Sequence, residues 1–253
     1  MTATVDRASY TEALEPARLA AFPLGEYVGQ ESFMTASEIR ALARRAGIGQ
    51  DDRVLDLCCG VAGPGRLVTQ ETRCRYLGVD HDPGAVAAAR QAAGDLPCRF
   101  EVRRVPSLPD DTFDVVMLLE TLLAFRDKRP LLAAVAERLP RGGRFAVTVE
   151  EGEPLTAHER GAMPAADTVW PVPLPELVDE LERQGLSVAS VEEHSEAHRA
   201  TAAALADSFD GDRAAIGARI GHRDVDDLIA SHRLWVDWLA AGRVRKLSLV
   251  AVR

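Results

Sequence analysis

The chain has 253 residues, 39 acidic against 30 basic side chains, a net charge of -9 and 47% hydrophobic residues. That length suits one large α/β domain with a lid, and the deficit of basic residues argues against a nucleic-acid substrate, whose phosphates need a dense cationic face. Four cysteines without paired zinc spacing, no signal-like leader and no apolar run long enough to span a bilayer point to a reduced cytoplasm, with no metal, no membrane and a monomer or homodimer.

Residues 1–26 are Ala-rich and mixed in charge, and predict a helix ending at Phe22, Pro23 and Gly25. A helix over 35–46 follows, with Thr35 or Ser37 as N-cap, Glu38 close behind and Gly47 after its last turn. Residues 1–46 are thus expected as an N-terminal cap. From 47 to 192 short apolar runs alternate with helical stretches. Strand one holds Val54, Leu55 and Leu57; then come helix 65–71, strand 75–80, helix 83–93 opened by Pro83, strand 100–105, strand 113–119, helix 128–139 and strand 144–150. Five prolines between Pro154 and Pro175 predict a long loop, before helix 174–184 and strand 186–192. Residues 195–242 read as a helical insertion, our candidate substrate lid, and 246–252 as a last strand pairing antiparallel. The alternation is that of a doubly wound sheet, here expected with seven strands and a single domain.

The stretch VLDLCCGVAGPG at 54–65 and YLGVDHD at 76–82 carries the chemistry. An apolar run ending in an acid, a glycine-rich turn and a second apolar run ending in an acid is how an open α/β sheet builds a nucleotide site. Gly60, Gly63 and Gly65 let the backbone approach a ligand, and Asp80, 20 residues beyond Gly60, is placed to accept both ribose hydroxyls. A dinucleotide site reads G-x-G-x-x-G; here the glycines fall as G-x-x-G-x-G, with Asp56 just ahead of them. A buried acid repels two phosphates and favours a ligand bearing an ammonium and a sulfonium, so the stretch points to S-adenosylmethionine.

On these residues the sequence resembles the class I S-adenosylmethionine-dependent methyltransferases. Asp56 and Gly60 match the family's first motif, whereas Cys58 and Ala62 stand where its first and third glycines usually are. The resemblance continues through LGVDHDPGAVAAAR, LPDDTFDVVMLLETLLAF and AERLPRGGRFAVTVEE, and covers about residues 27–151. YVGQESFMT at 27–35 and the ending WLAAGRVRKLSLVAVR are similar to the small-molecule branch that methylates sarcosine, dimethylglycine, phosphoethanolamine or natural products. The resemblance implies cofactor contacts from Gln30, Phe33, Met34, Thr35, Asp56, Cys58, Gly60, Asp80, His81 on the adenine edge, backbone at Val105, Leu119 and Glu120. Where the family usually reads the adenine amine with an acid after strand three, this chain has Arg103, Arg104 and Val105.

Methyl transfer needs an in-line nucleophile, exclusion of water and, for hydroxyl or carbon acceptors, a base. Candidate bases are His194, His198, Glu120 and Tyr27, with His158, His232 and Glu150 behind them; EEHSEAHR also reads as an ordinary charged surface. Trp170, Trp235 and Trp238 suit either an aromatic pocket wall or core packing. The expected function is methyl transfer to an N, O or C atom of a small molecule in specialised metabolism. A cyclisation or rearrangement on the same fold, and a non-catalytic S-adenosylmethionine-binding protein, are the alternatives.

Overall fold

A computed structural model describes residues 7–164 and 168–253. Seven strands form one sheet in the order β3-β2-β1-β4-β5-β7-β6: β1 Arg53–Leu57, β2 Arg75–Asp80, β3 Cys98–Val102, β4 Val115–Leu118, β5 Arg144–Glu151, β6 Ser187–Glu193 and β7 Arg245–Val252. The pairings from β3 through β5 are parallel, and β7 runs antiparallel between β5 and β6. This is a doubly wound sheet of the class I methyltransferase type, with its direction of winding reversing between β1 and β4, where such sheets bind ligands.

Strand alternation divides the core into two layers. Leu55, Leu57, Val79, Val116, Leu118, Phe145 and Leu249 face α5 (Arg129–Arg138) and α7 (Leu174–Arg183). Val54, Tyr76, Val115, Met117, Ala146 and Val250 face α2 (Ala36–Arg45), α3 (Gly63–Thr72) and α4 (Pro83–Ala93). Asp56 shares the register of Val54 and therefore enters this second layer rather than solvent. Thr35, not Ser37, caps α2: its Oγ1 accepts from Glu38 N at 3.2 Å while Glu38 Oε2 accepts from Thr35 N at 2.8 Å. Ser37 instead donates to Glu26 Oε1 at 2.6 Å, tying the preceding loop down.

Helix α1 spans Arg7–Ala21; the start of the expected N-terminal helix lies outside the described residues. The insertion before β7 is three helices, α8 Ser195–Gly211, α9 Arg213–Ile220 and α10 His222–Ala240. Leu14, Ala17 and Phe22 of the N-terminal segment pack with Leu205, Phe209, Ile216, Val225 and Ile229 of the insertion, so these two segments build one apolar cluster of their own. The proline-rich loop contains a short helix, α6 Ala157–Ala162, closed by its own capping box at Thr156 and Glu159, which the prolines had masked. Strand three starts at Cys98 and stops at Val102, earlier than its apolar pattern predicts, and frees Arg103, Arg104 and Val105 for a loop. Among the described residues no helix is long and apolar enough to cross a membrane.

Candidate functional site

The loop between β1 and α3 is the floor of a cavity of about 490 Å³. Cys58, Gly60 and Ala62 all adopt left-handed backbone, with φ of 56°, 54° and 58°. The alternating turn is therefore kept at the two positions that lack glycine, at a cost of about 1–2 kcal/mol for each Cβ. A Cβ at Gly60 would project to 3.9 Å from Glu31 Oε2 and fill the cradle; one at Gly63 would lie 2.5 Å from Val28 O. Gly60 N donates to Asp80 Oδ2 at 2.9 Å and Asp82 N to Asp80 Oδ1 at 2.9 Å. Each oxygen keeps a second lone pair, so Asp80 can accept two ligand hydroxyls. His81 stands beside it, Nδ1 3.4 Å from Asp80 Oδ1, on the exposed rim.

Asp56 lies under this floor and borders the cavity at 4% exposure, its Oδ2 accepting from Tyr76 Oη at 2.6 Å. Burial pushes its carboxyl up to about 7 against the opposing Tyr76 hydrogen bond, and the Asp80 charge adds to the rise. Burial, then Asp80 and Asp56, raise the Cys58 thiol to about 12, and burial raises that of Cys59 further. Both thiols are therefore held in the neutral form around pH 7.

At the far end of the cavity β4 gives way to Leu119 and Glu120, the latter again left-handed at φ 57° with its N–H donated to Thr148 Oγ1. Glu120 also borders a second pocket of about 180 Å³, lined with Phe33, Glu150, His232, Trp235 and Lys246. The Lys246 ammonium lies 2.8 Å from Glu120 and is hydrogen-bonded to Glu150; Lys246 and Glu150 are 2% and 3% exposed. Burial disfavours both charges, but Lys246 and then His198 hold Glu120 below the usual carboxylate range, and Glu120 and Glu150 hold Lys246 above that of a free lysine. His232 Nδ1 donates to Leu228 O at 2.7 Å, leaving Nε2 as an acceptor, and burial lowers its pKa to about 4. Glu31 and Ser32 complete the wall shared by the two spaces; Glu31 is fixed by Arg7, by Arg18 at 3.1 Å and by Thr11 at 3.2 Å.

Of the residues singled out in the sequence, Gln30, Asp56, Cys58, Gly60, Gly63, Asp80, His81, Arg103, Arg104, Val105, Leu119 and Glu120 border the larger cavity, and Phe33, Glu120, Glu150, His232 and Trp235 the smaller. Gln30 spends its amide on the backbone, accepting from Val28 N at 2.6 Å and donating to Glu26 O and Met34 O at 2.8 Å each, and so staples its own loop. Met34 and Thr35 border neither space: Met34 is buried in the layer against α2, and Thr35 caps that helix. His194 and His198 border neither space and sit behind it, both against Glu38: His194 Nδ1 3.3 Å from Oε1 and His198 Nε2 3.3 Å from Oε2. Tyr27 packs on Phe22 with centroids 5.6 Å apart. Trp235 walls the small pocket and is backed by Trp238, while the Arg126 and Arg160 guanidiniums stand over the Trp170 ring, 5.0 and 3.8 Å from its centroid. Lys246 was missed, although a lysine opening the otherwise apolar strand KLSLVAV was a usable signal.

The strand order, the left-handed loop after β1 and the acid ending β2 define the class I methyltransferase architecture. Residues 54–143 match the family model described as a methyltransferase domain. The chain is similar to the sterol 24-C-methyltransferase of Eremothecium gossypii, 31% identical over 128 residues that make up 48% of this chain and 34% of that protein. It spans about a third of the length of the curated relatives it matches. Among solved structures, the cyclopropane synthase MmaA2 from Mycobacterium tuberculosis superposes with a TM-score of 0.82 at 11% identity, over 97% of this chain and 94% of that one. Haemonchus contortus phosphoethanolamine N-methyltransferase 2, in complex with S-adenosyl-L-methionine, gives 0.79 at 17% over 98% and 58%. Residues 54–143 thus match a methyltransferase domain, set in a sheet with the strand order of the class I methyltransferase fold.

Proposed function

We propose that this protein transfers a methyl group from S-adenosylmethionine to a small-molecule acceptor. The observation that carries the reading is the meeting of two spaces at Glu120, one floored by Asp56, Gly60 and Asp80 and the other walled by aromatic side chains. S-adenosylmethionine supplies an electrophilic methyl group on a sulfonium, which becomes a thioether when the methyl leaves. Asp80 accepts the ribose hydroxyls, Gly60 gives backbone access to the amino-acid end, and Asp56 offers a carboxylate to its ammonium. The adenine lies along His81 and the Arg103–Val105 loop, read by backbone rather than by an acid.

Geometry supplies most of the catalysis: the small pocket holds the acceptor against the shared wall, and its aromatic side chains exclude water. Among the seven bases named from sequence, Glu120 alone borders both spaces and is the group placed to interact with the acceptor; His232 and Glu150 border the smaller space only, and His194, His198 and Tyr27 act as supports. Helices α8, α9 and α10 form the substrate lid over residues 195–242, with 1–46 as cap and 47–192 as core. A cytoplasmic place in specialised metabolism accords with the acidic composition and the small pocket. Calorimetric titration with S-adenosylmethionine and S-adenosylhomocysteine, followed by mass spectrometry of acceptor mixtures with trideuteromethyl donor, tests the reading. Absence of binding at millimolar cofactor would refute it, and binding without label transfer to any acceptor would favour a cyclase or a binding protein.

A further inference from the structure

The small pocket has an electrostatic character that its aromatic walls alone do not explain. Its floor is Glu120, Lys246 and Glu150, two carboxylates against one ammonium. Glu150 Oε2 is buried and accepts no hydrogen bond, and Glu120 Oε1 lies 2.8 Å from the Lys246 ammonium without being aligned for one. Nearby, Glu31 is held by both Arg7 and Arg18, Lys128, the next cation to Glu150, donates its ammonium to Phe125 O and Trp170 O, and His198 Nε2 lies 3.3 Å from Glu38 Oε2. Above the floor, Phe33 stands edge-on to His232 and Trp235, with centroids 5.4 and 6.4 Å away, and His232 offers a further acceptor nitrogen. Buried carboxylate oxygens left without donors are expensive, and a ligand bringing both N–H groups and a positive charge removes that cost. Aromatic walls favour the same charge.

We infer that the pocket beyond Glu120 is a recognition site for a small protonated amine, with Glu120 and Glu150 accepting its N–H groups and Phe33 and Trp235 packing around its carbon substituents. The inference deepens the proposed function by naming the chemical class of the acceptor, and it rests on the same site: the amine binds as the ammonium, gives one N–H proton to the Glu120 carboxylate, and its freed lone pair then forms the C–N bond as the S–CH3 bond breaks and the donor leaves as the thioether. Lys246 does not turn the pocket into an anion site, because its ammonium is shared between two carboxylates. The space of about 180 Å³ corresponds to roughly six water volumes at about 30 Å³ each, which sets the probe at about six heavy atoms.

The test uses three molecules of one branched skeleton, 3-methylbutylamine, 3-methylbutanol and 3-methylbutanoate, titrated calorimetrically into the full chain saturated with S-adenosylhomocysteine. The amine is expected to bind about tenfold more tightly than the alcohol, with the carboxylate weakest. Glu150→Gln should remove most of the amine's advantage, leave the alcohol within about twofold and leave S-adenosylhomocysteine affinity unchanged, since Glu150 does not border the larger cavity. Equal binding of amine and alcohol, a preference for the carboxylate, or an amine advantage intact in a folded Glu150→Gln protein would overturn the inference. The wild-type series decides by itself if that variant fails to fold. Failure of S-adenosylhomocysteine to bind would refute the cofactor reading instead, and the preference among the three probes is then read on the free protein.

Discussion

Tyr76→Phe probes how the floor recognises a cationic ligand. The hydroxyl it removes donates to Asp56 Oδ2 at 2.6 Å, and it opposes the burial that lifts this carboxyl to about 7. Asp56 is then about half ionised at pH 7 and about one-hundredth ionised at pH 5. If the ligand's ammonium is held by the ionised form, the association constant for S-adenosylmethionine should rise about fiftyfold between those pH values, nearing tenfold per unit at the acid end. A hydrogen bond to a charged group contributes about 1.5–3 kcal/mol, so its loss should move the rise upward by about one to two pH units. At pH 7 the variant should bind about five- to fiftyfold more weakly. Calorimetry from pH 5 to 7.5, below the range where the ligand's own amine titrates, measures it, with circular dichroism as the check on folding. A flat wild-type profile, or one on which the variant superimposes, would refute the reasoning. Linkage gives an independent sign: a carboxyl raised in the fold contributes full stability below its unfolded value near 3.8 and loses that contribution as pH rises through about 7. The melting temperature of the ligand-free protein should therefore carry a downward component over that window that Asp56→Asn removes.

Three further substitutions have definite outcomes. Gly63→Ala places a Cβ 2.5 Å from Val28 O and 2.6 Å from Gly29 C, both backbone, so it should displace the 28–32 wall and weaken cofactor binding by about tenfold or more in titration. Cys58→Gly relieves a left-handed Cβ worth about 1–2 kcal/mol against a chain-entropy cost of about 0.4–1. Urea denaturation should show a gain of up to about 1.6 kcal/mol, and a clear loss would contradict strain at φ 56°. Lys246→Met strands two buried carboxylates and should destabilise by about 3–5 kcal/mol near neutral pH, with partial recovery in acid, as read by thermal melts.

The sheet was legible because its signals are local. Val54, Leu55 and Leu57 put apolar side chains on both faces of β1, Pro83 follows the capping Asp82, and Gly47 follows the last turn of α2, so each element announces its own ends. The floor of the larger cavity was legible for the same reason, since Asp56, Gly60 and Asp80 are placed by two adjacent strands and their turns. The pocket beyond it was not. Lys246 meets Glu120 across 126 positions of sequence, and no pattern in either segment encodes the other. His194 and His198, one helical turn apart after β6, were expected to reach the cavity or else lie on a charged surface, whereas the junction of β6 and α8 turns both toward Glu38 on α2, a contact 156 and 160 positions away in sequence. The Met34 and Thr35 assignments came from a shared motif, whereas here the chain has already turned into α2 by that point.

The placement of β7 bears on how the molecule comes into being. Ribosomal synthesis delivers this strand after β6, yet it belongs inside the sheet, with β5 on one side and β6 on the other. Until it emerges, β5 presents an unpaired edge, β6 has no partner, and Glu120 and Glu150 lack their ammonium. The parallel half can condense early, while the strand that joins the two halves also brings the charge that lets the acceptor pocket close. A nascent chain paused before residue 245 therefore leaves the edge of β5 open to pairing with strands of other molecules.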